Sequence, residues 1–481
     1  MKKYKLYIIG AGPGEPSLIT LKGYKILKQA DVVIYDYLVD KKILDYTKET
    51  AEIISVNELY NNRYCSDFSK RQKEINKLLI KKVKEGKKVV RLKNGDPSIF
   101  GRLNEELEDI VRNNIDFEIV PGVTAATAAA CYCGIPLTSR GVSSCVVLTT
   151  GHEDIDKKDN FIDWQKIAQI DTIVLYMSVG NLKEVVNKLI LYRKNKNTKV
   201  AVVSNVSKLN QKLVVGELKN ITEKVKKENI SSPAIVIIGD VVEKEKKFNW
   251  FKNSKKILYT GISEERYFED GFFYHIPMIS IKPLPDYTEL DNWIKKICSV
   301  HNPQPKTYID WLVFTSRFGV YYFFDRLFKL NFDSRKLNFL KIAAIGSSTA
   351  KKLKEYGIIA DLVPRNECSD GLVEEFKKLI IKIKNLQPKT NILLIRSDIS
   401  DKSLAERLTN LGYNVYSCVA YKNVVSEDLP DLDFNFFDEI FFTSPSTVRN
   451  FVSRYNNPPK NIKVRTIGKV TENEARKFNI I

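Results

Sequence analysis

Three short loops that contain glycine, each placed directly after a run of β-branched residues, are the first features of this sequence that could bind a ligand. The first loop, Gly10-Ala-Gly-Pro-Gly-Glu-Pro16, comes close to the G-x-G-x-x-G pattern that holds the pyrophosphate of a dinucleotide. That pattern needs glycine or alanine at position 15, where this chain has Glu15. A carboxylate there would repel a pyrophosphate, and the two prolines stiffen the loop. The sequence therefore argues against a nicotinamide cofactor, and this loop alone indicates only a tight strand-to-helix turn.

The other two loops leave a ligand-binding and a structural interpretation open. Asp96 lies within the second loop, 93–102, and Pro97 forces it toward an extended conformation. Its carboxylate could accept hydrogen bonds from a ligand or could form an Asx-type turn. The third loop, 121–130, has small side chains that would allow either close approach of a ligand or close helix packing. Three such loops after strands in one domain favour a ligand site.

The cysteines and histidines exclude several classes of chemistry. Seven cysteines are scattered over 481 residues without a C-x-x-C pair, so neither a disulfide framework nor a structural zinc site is indicated. The three histidines, His152, His275 and His301, are not at metal-ligand spacing, and none lies near a G-x-S-x-G elbow. The sequence therefore predicts an enzyme without a metal centre and without a Ser-His-Asp triad.

Hydroxyl-bearing residues recur at strand ends in the C-terminal half. Two strand-like runs end in Thr-Ser, at 315–316 and 443–444, and two more lead into Gly-x-x-Thr, at 346–349 and 468–471. A helix-like segment follows each of them, and α/β folds place ligands where strand ends meet helix N-termini. Because both repeats occur in the same order, they predict a bilobal α/β module.

The elements that must position these residues alternate along the first 240 residues. β-branched runs are followed by helix-period segments such as 21–29 and 72–84. This alternation is typical of α/β architecture with largely parallel sheets. Residues 243–256 are charged and lack strand periodicity, so they predict a domain junction, with a linker at 248–254 between domains at 1–247 and 255–481.

Composition sets the broad class. Apolar residues make up 43% of the chain, enough for ordinary buried cores, and no apolar run approaches the roughly 18 residues of a membrane span. The apolar N-terminal stretch stops at Ile9 without a cleavage site, which predicts a cytoplasmic protein that does not engage a membrane. The formal charge of +19 fits a nucleic-acid partner, an acidic small-molecule substrate or a lysine-rich solvated surface.

Together the motifs of the N-terminal half resemble the tetrapyrrole methylases and, more narrowly, the uroporphyrinogen-III C-methyltransferases. The resemblance covers residues 3 to about 247 and is carried by the three glycine loops, Leu21-Lys-Gly23, 30–36, Tyr176-Met177 and 232–239. It implies a two-lobed α/β domain that transfers two methyl groups from S-adenosyl-L-methionine to uroporphyrinogen III, giving precorrin-2 and S-adenosyl-L-homocysteine.

The resemblance also implies the residues of the site. Asp36, at a strand end, matches the proton acceptor that is proposed for the family, although a turn or cap role would explain it equally well. The residues that the resemblance places against the cofactor are Pro13, Asn94, Gly95, Asp96, Ile99, Thr124, Ala125, Met177, Val206 and Ala234.

Two positions of this half depart from the family. Val206 stands where the family has a glycine that contacts the cofactor. Glu58 stands where a lysine is expected, which reverses the charge near a polycarboxylate substrate, and Arg63 or Lys70 could compensate.

The C-terminal half, about 255–481, resembles uroporphyrinogen-III synthase. The resemblance implies a bilobal α/β domain that converts hydroxymethylbilane to uroporphyrinogen III without a cofactor. It places Tyr421 where a tyrosine is proposed to assist departure of the hydroxyl, with packing as the alternative role. The residues that would donate hydrogen bonds to substrate carboxylates, or cap helices, are Ser316, Ser347, Thr349, Ser444 and Thr471.

This half also departs from its family. Gly261 stands where an arginine is usual, and the sequence ends at Ile481, where relatives commonly continue. An incomplete or weakened synthase is therefore expected.

The combined prediction is a bifunctional enzyme of sirohaem and cobalamin biosynthesis that is a homodimer and binds no nucleic acid. The alternatives are a later precorrin methyltransferase, an RNA-binding or RNA-modifying methyltransferase that uses the basic charge, and a C-terminal half that serves only channelling or dimer stability.

Overall fold

Two α/β units follow one another in the computed structural model of the chain, Met1–Lys256 and Ile257–Ile481. The structure describes residues 5–48, 50–57, 68–151, 162–262, 271–298, 309–382, 390–427 and 429–481. Glu58 and Arg63, and with them His152 and His301, lie outside the described residues. Among the helices that the structure describes, none is long and apolar enough to cross a membrane.

The first unit opens with a parallel sheet of strand order β3-β2-β4-β1-β5. Its strands are β1 (Lys5–Gly10), β2 (Val32–Tyr35), β3 (Glu52–Ser55), β4 (Val89–Lys93) and β5 (Asp116–Val120). The helices of this part are α1 (Leu21–Leu27), α2 (Phe68–Lys84), α3 (Leu103–Arg112) and α4 (Ala125–Cys133). Every residue of β2 and β4 is buried, as expected for a parallel sheet that is covered on both faces. All five strands run the same way, so the loops after them meet at one edge of the sheet.

The second sheet of this unit has the order β6-β7-β10-β8-β9. Its strands are β6 (Val146–Thr150), β7 (Thr172–Tyr176), β8 (Lys199–Ser204), β9 (Lys212–Glu217) and β10 (Ala234–Ile238). The helices here are α5 (Trp164–Ile167), α6 (Leu182–Leu191), α7 (Ile221–Lys227), α8 (Glu245–Phe248) and α9 (Trp250–Asn253). Only β6 and β7 pair in parallel, and the other three pairings are antiparallel. The expectation of largely parallel sheets is therefore wrong for this sheet, because β10 runs antiparallel to both of its neighbours and the short 205–211 connection joins β8 to β9 as a hairpin.

The segment predicted as a linker, 248–254, is folded onto the first unit. Trp250 Nε1 donates to the Cys131 carbonyl at 2.8 Å, and the Trp250 and Tyr132 rings lie 5.4 Å apart. Phe251 is buried beside them. The interpretation of the sequence considered the charges of 243–256 and overlooked Trp250 and Phe251, the two aromatic residues that anchor this segment to α4.

The second unit contains two sheets, β12-β11-β18-β19 and β13-β17-β16-β14-β15. The strands are β11 (Lys256–Tyr259), β12 (Phe272–His275), β13 (Ile279–Lys282), β14 (Trp311–Phe314), β15 (Lys341–Ala344), β16 (Asn391–Ser397), β17 (Asn414–Val425), β18 (Glu439–Phe442) and β19 (Lys463–Thr466). The helices are α10 (Thr288–Cys298), α11 (Arg317–Lys329), α12 (Ser347–Glu355), α13 (Ser369–Lys382), α14 (Ser403–Asn410), α15 (Pro445–Tyr455) and α16 (Lys469–Lys477). The predicted strand–helix repeats are confirmed as β14–α11, β15–α12, β18–α15 and β19–α16.

Candidate active sites

A cavity of about 640 Å³ lies in the first unit, between the loops of its two sheets. That volume is within the range of small-molecule sites, about 300–1,000 Å³. Asp36 lines the cavity, and so do all ten residues that the sequence assigns to the cofactor: Pro13, Asn94, Gly95, Asp96, Ile99, Thr124, Ala125, Met177, Val206 and Ala234. The fold thus brings together residues that are up to 221 positions apart in the sequence (13 to 234).

Backbone-to-backbone contact joins the three glycine loops. A Cβ atom on Gly10 would lie 2.6 Å from both Gly122 Cα and Gly95 O, and one on Gly122 would collide with the same Gly95 carbonyl. Gly95 N donates to Gly12 O at 2.8 Å, with Gly95 at φ +67°. Gly10 and Gly122 are therefore required by packing, because side chains there would separate the ends of the strands, whereas Gly95 is favoured by its positive φ.

Asp96 fixes one loop to another. Its Oδ1 accepts from the backbone of Ser98 at 2.8 Å, which is the predicted Asx-type turn, and its Oδ2 accepts from Gly122 N at 2.9 Å. The turn is thus confirmed, and because Asp96 also lines the cavity, its contact with a ligand stays a prediction. Gly122 and Ser98 hold its orientation.

Tyr176 supports the third loop from the second sheet. Its hydroxyl lies 2.5 Å from Thr124 Oγ1 and accepts from Ala126 N at 3.2 Å, so it holds the first turn of α4. Its ring packs on Phe100 at a centroid distance of 4.9 Å. Met177 next to it is 58% exposed and has a φ of +51°, an unusual backbone conformation for a residue with a side chain.

Glu15 and Val206 explain two departures from the expected patterns. The Tyr132 hydroxyl donates to Glu15 Oε2, and Glu15 N donates to Ser207 Oγ at 3.0 Å. Glu15 is therefore tied to protein groups on α4 and on the 205–211 loop. Val206 is buried in the apolar cluster that contains Val203 and Ile235, which gives its side chain a packing role.

Asp36 belongs to a network of four charged residues, three of which are almost fully buried. Arg91 Nη2 donates to Asp36 Oδ1, while Arg91 Nε donates to Glu106 Oε1 at 3.1 Å. Lys93 Nζ donates to the same Glu106 oxygen at 2.8 Å. The side chain of Glu106 is 0% exposed, that of Arg91 2% and that of Lys93 4%, whereas that of Asp36 is 30% exposed. Two cations and two carboxylates thus compensate each other, and Asp36 is the most exposed of the four groups.

The network shifts the pKa values of its members. Burial tends to raise the pKa of Asp36, but the positive charges of Arg91 and Lys93 outweigh it and hold that pKa below its usual range. Burial, together with the nearby charge of Arg91, lowers the pKa of Lys93. Asp36 is therefore ionised at neutral pH, the state that a proton acceptor needs.

The sequence interpretation missed Arg91, Lys93 and Glu106. A signal was present in the sequence: Arg91 and Lys93 lie two residues apart, and therefore on one face, of a strand that is otherwise apolar. Two cations on a fully buried strand require a buried anion, which Glu106 on α3 supplies.

In the second unit, Tyr421 meets one of the predicted carboxylate-binding residues. Its hydroxyl lies 2.7 Å from Ser316 Oγ, and Ser316 also accepts from Gly319 N as the N-cap of α11. Tyr421 is 5% exposed and its ring stacks on Tyr322 at 5.9 Å. Burial raises the pKa of Tyr421, so the phenol keeps its proton at neutral pH.

The other four predicted residues occupy helix starts. Ser444 forms a capping box with Thr447 at the start of α15, and Ser347 Oγ donates to Glu367 at 3.1 Å. Thr349 and Thr471 are buried in the first turns of α12 and α16. Ser316, Ser347 and Thr349 follow strands of one sheet, whereas Ser444 and Thr471 follow strands of the other.

Among the described residues, no group of three or more histidine, cysteine, aspartate and glutamate side chains could hold a metal ion. The expectation of chemistry without a metal stays a prediction.

Comparison with known families matches both units. Residues 5–222 match the family described as Tetrapyrrole (Corrin/Porphyrin) Methylases, and residues 271–480 match Uroporphyrinogen-III synthase HemD. The chain belongs to the tetrapyrrole methylase family, in a form that is fused to a HemD-type synthase domain.

Relatives divide along the same line. The porphyrin biosynthesis protein HemD of Ruminiclostridium josui is 35% identical over 98% of this chain and 93% of its own length. The uroporphyrinogen-III C-methyltransferase of Methanocaldococcus jannaschii is 44% identical, over 50% of this chain and 96% of its own length. An S-adenosyl-L-methionine-dependent uroporphyrinogen III methyltransferase of Methanosarcina barkeri is 42% identical over 50% and 92%.

Proposed function

We propose that this chain is a bifunctional enzyme of tetrapyrrole biosynthesis. Its first unit transfers two methyl groups from S-adenosyl-L-methionine to uroporphyrinogen III, giving precorrin-2. Its second unit cyclises hydroxymethylbilane to uroporphyrinogen III. The observation that supports the first activity best is the cavity of about 640 Å³, because Asp36 and all ten expected cofactor residues line it.

The residues present fit the cofactor. The lining of the cavity includes the loop segments Asn94-Gly95 and Thr124-Ala125 and apolar side chains such as Ile99 and Met177. S-adenosyl-L-methionine would be held by these residues and would supply an activated methyl group on its sulfonium.

The protein then has two tasks in methyl transfer. It must hold the acceptor carbon in line with the methyl group, since positioning can supply about 7–11 kcal/mol of a barrier. It must also accept the proton that the pyrrole system loses when the new carbon–carbon bond has formed. Asp36 is the proposed acceptor; Arg91 and Lys93 keep its carboxylate ionised, and Glu106 holds Arg91 in place.

The proposed synthase step uses the pair Tyr421 and Ser316. The phenol of Tyr421 donates its proton to the departing hydroxyl of hydroxymethylbilane, so that the carbon–oxygen bond breaks and water leaves. Ser316 Oγ, 2.7 Å away, orients the phenol. Ser347, Thr349, Ser444 and Thr471 are proposed to contact substrate carboxylates at their helix starts.

Product analysis of the full-length chain tests both activities. Purified protein is incubated with hydroxymethylbilane and S-adenosyl-L-methionine, and products are identified by mass and isomer. Precorrin-2 above the non-enzymatic background supports both proposals. Unmethylated type III product contradicts the methyltransferase, and methylated type I product alone contradicts the synthase. Asp36→Asn and Tyr421→Phe serve as matched variants, each expected to remove one activity and leave the other.

Three further expectations remain proposals: the chain forms a homodimer, acts in the cytoplasm and has no nucleic-acid partner. Light scattering during gel filtration measures the first. A titration of RNA at two salt concentrations tests the last, because RNA binding through the basic surface would weaken steeply with salt.

A further inference from the structure

The side chain of Lys208 spans the first unit from one sheet to the other. Lys208 lies on the 205–211 loop that joins β8 to β9, in the second sheet. Its Nζ donates to the carbonyl of Leu38, which follows β2 of the first sheet, at 3.4 Å. Lys208, Leu38 and Asp36 all line the same cavity. The ammonium of Lys208 thus lies at the cavity wall, where it contacts the residue two positions after Asp36, the proposed proton acceptor.

The first glycine loop is shaped to let this side chain pass. A Cβ atom on Gly14 would lie 2.6 Å from Lys208 Cγ and 3.0 Å from Lys208 Cε. Position 14 therefore has to lack a side chain for the lysine stem to cross it. The carbonyl oxygen of Val206, 2.9 Å from the same added Cβ, restricts position 14 as well.

The loop that carries Lys208 has two residues in the left-handed backbone region. Asn205 and Ser207 have φ values of +50° and +60°. Ser207 N donates to Gln211 at 2.8 Å, and Ser207 Oγ accepts from Glu15 N at 3.0 Å. These bonds fix the loop where Lys208 reaches the cavity.

We propose, on the basis of the proposed function, that Lys208 binds a carboxylate of a ligand in this cavity. A lysine ammonium has three donors, and the single contact to Leu38 is a long one. Among the described residues Lys208 forms no ion pair with a carboxylate. The ligand carboxylate comes either from an acetate or propionate arm of the tetrapyrrole or from the amino-acid end of the cofactor.

Three variants test the assignment and separate the two sources. Lys208→Gln removes the charge, Lys208→Arg keeps it, and Lys212→Gln removes a charge from an exposed lysine of β9 as a control. For each protein, the KM for uroporphyrinogen III at saturating cofactor and the Kd for S-adenosyl-L-homocysteine by calorimetry are measured. We expect Lys208→Gln to raise one of these constants about 5- to 30-fold, with Lys208→Arg within about threefold of the unchanged protein.

Each outcome has one meaning. A rise in KM assigns the tetrapyrrole as the source of the carboxylate, and a rise in Kd assigns the cofactor. If Lys208→Gln leaves both constants unchanged, or only lowers the melting temperature, the lysine is a structural tie and the proposal is overturned. If the unchanged protein makes no methylated tetrapyrrole, the proposed function fails, while the Kd measurement still tests Lys208.

Discussion

Arg91 Nε donates to Glu106 Oε1 over 3.1 Å, and both side chains are almost fully shielded from water. Glu106 Oε1 also accepts from Lys93, so one fully buried carboxylate serves two buried cations. Removing one partner of such an arrangement leaves an uncompensated charge in a medium of low polarity, which typically costs about 3–5 kcal/mol.

Replacing Glu106 by glutamine is therefore expected to destabilise the first unit by several kcal/mol and to abolish methyl transfer. Hydrogen exchange of peptides that contain β2 and β4 measures the loss of stability in this unit separately from the second one. Glu108→Gln, on the exposed side of the same helix, is the matched control and should cost less than about 1 kcal/mol. Equal protection in both variants would contradict a central role for Glu106.

Asp36 should make stability depend on acid pH. Since its pKa is held below the ordinary value of 3.8, the ion pair with Arg91 stabilises the fold above that pH, and the contribution is lost as pH falls through the lowered pKa. As the pH is lowered from 5 toward the acid transition, we expect the free energy of unfolding to fall less in Asp36→Asn than in the unchanged protein. Urea midpoints of the two proteins across this range provide the measurement. A constant difference between them at every pH would show that the charge of Asp36 is not linked to folding.

Because the backbones of Gly10, Gly95 and Gly122 are in contact, we expect a single added methyl group at Gly122 to lower the stability of the first unit. Gly122→Ala places its Cβ against Gly95 O and Gly10 Cα, and we expect a cost of about 1–3 kcal/mol together with weaker binding of S-adenosyl-L-homocysteine. Gly180→Ala, where an added Cβ has nothing within 4 Å, is the control and should change stability by less than about 0.5 kcal/mol. Thermal melting and calorimetry compare the two, and tight binding by the Gly122 variant would refute the contact.

Tyr421→Phe is expected to lower synthase turnover about 100-fold or more, because it removes the proposed proton donor without opening a cavity. Tyr413→Phe, which deletes another buried hydroxyl in the same unit, is expected to leave turnover unchanged. The phenol of Tyr421 has a raised pKa, so turnover should not fall with rising pH until above the usual value of 10.0. An equal loss in both variants would point to packing as the role of Tyr421.

The sequence predicted the residues that line the cavity better than it predicted the network of buried charges around Arg91. The glycine loops are local patterns at strand ends, and a parallel sheet necessarily brings such ends to one edge. The pairing of Arg91 with Glu106 joins a strand to a helix, so it depends on packing that no short motif encodes. For the same reason the polar segment around Trp250 did not indicate that its aromatic residues pack against α4. The alternation of strands and helices likewise could not predict the antiparallel pairings of the second sheet. Ser316 was predicted as a ligand contact, and its meeting with Tyr421 became visible only in three dimensions.

The glycine contact has a consequence for how this fold can diversify. At Gly10 and Gly122 an added Cβ would meet neighbouring main chain at 2.6 Å or less, so these two positions leave no room for a side chain. A change of ligand preference is therefore easier at residues whose side chains line the cavity, such as Met177 and Lys208, than at these glycines. The glycine contact thus fixes the positions of the strand ends, while side chains that line the cavity can be replaced without moving them.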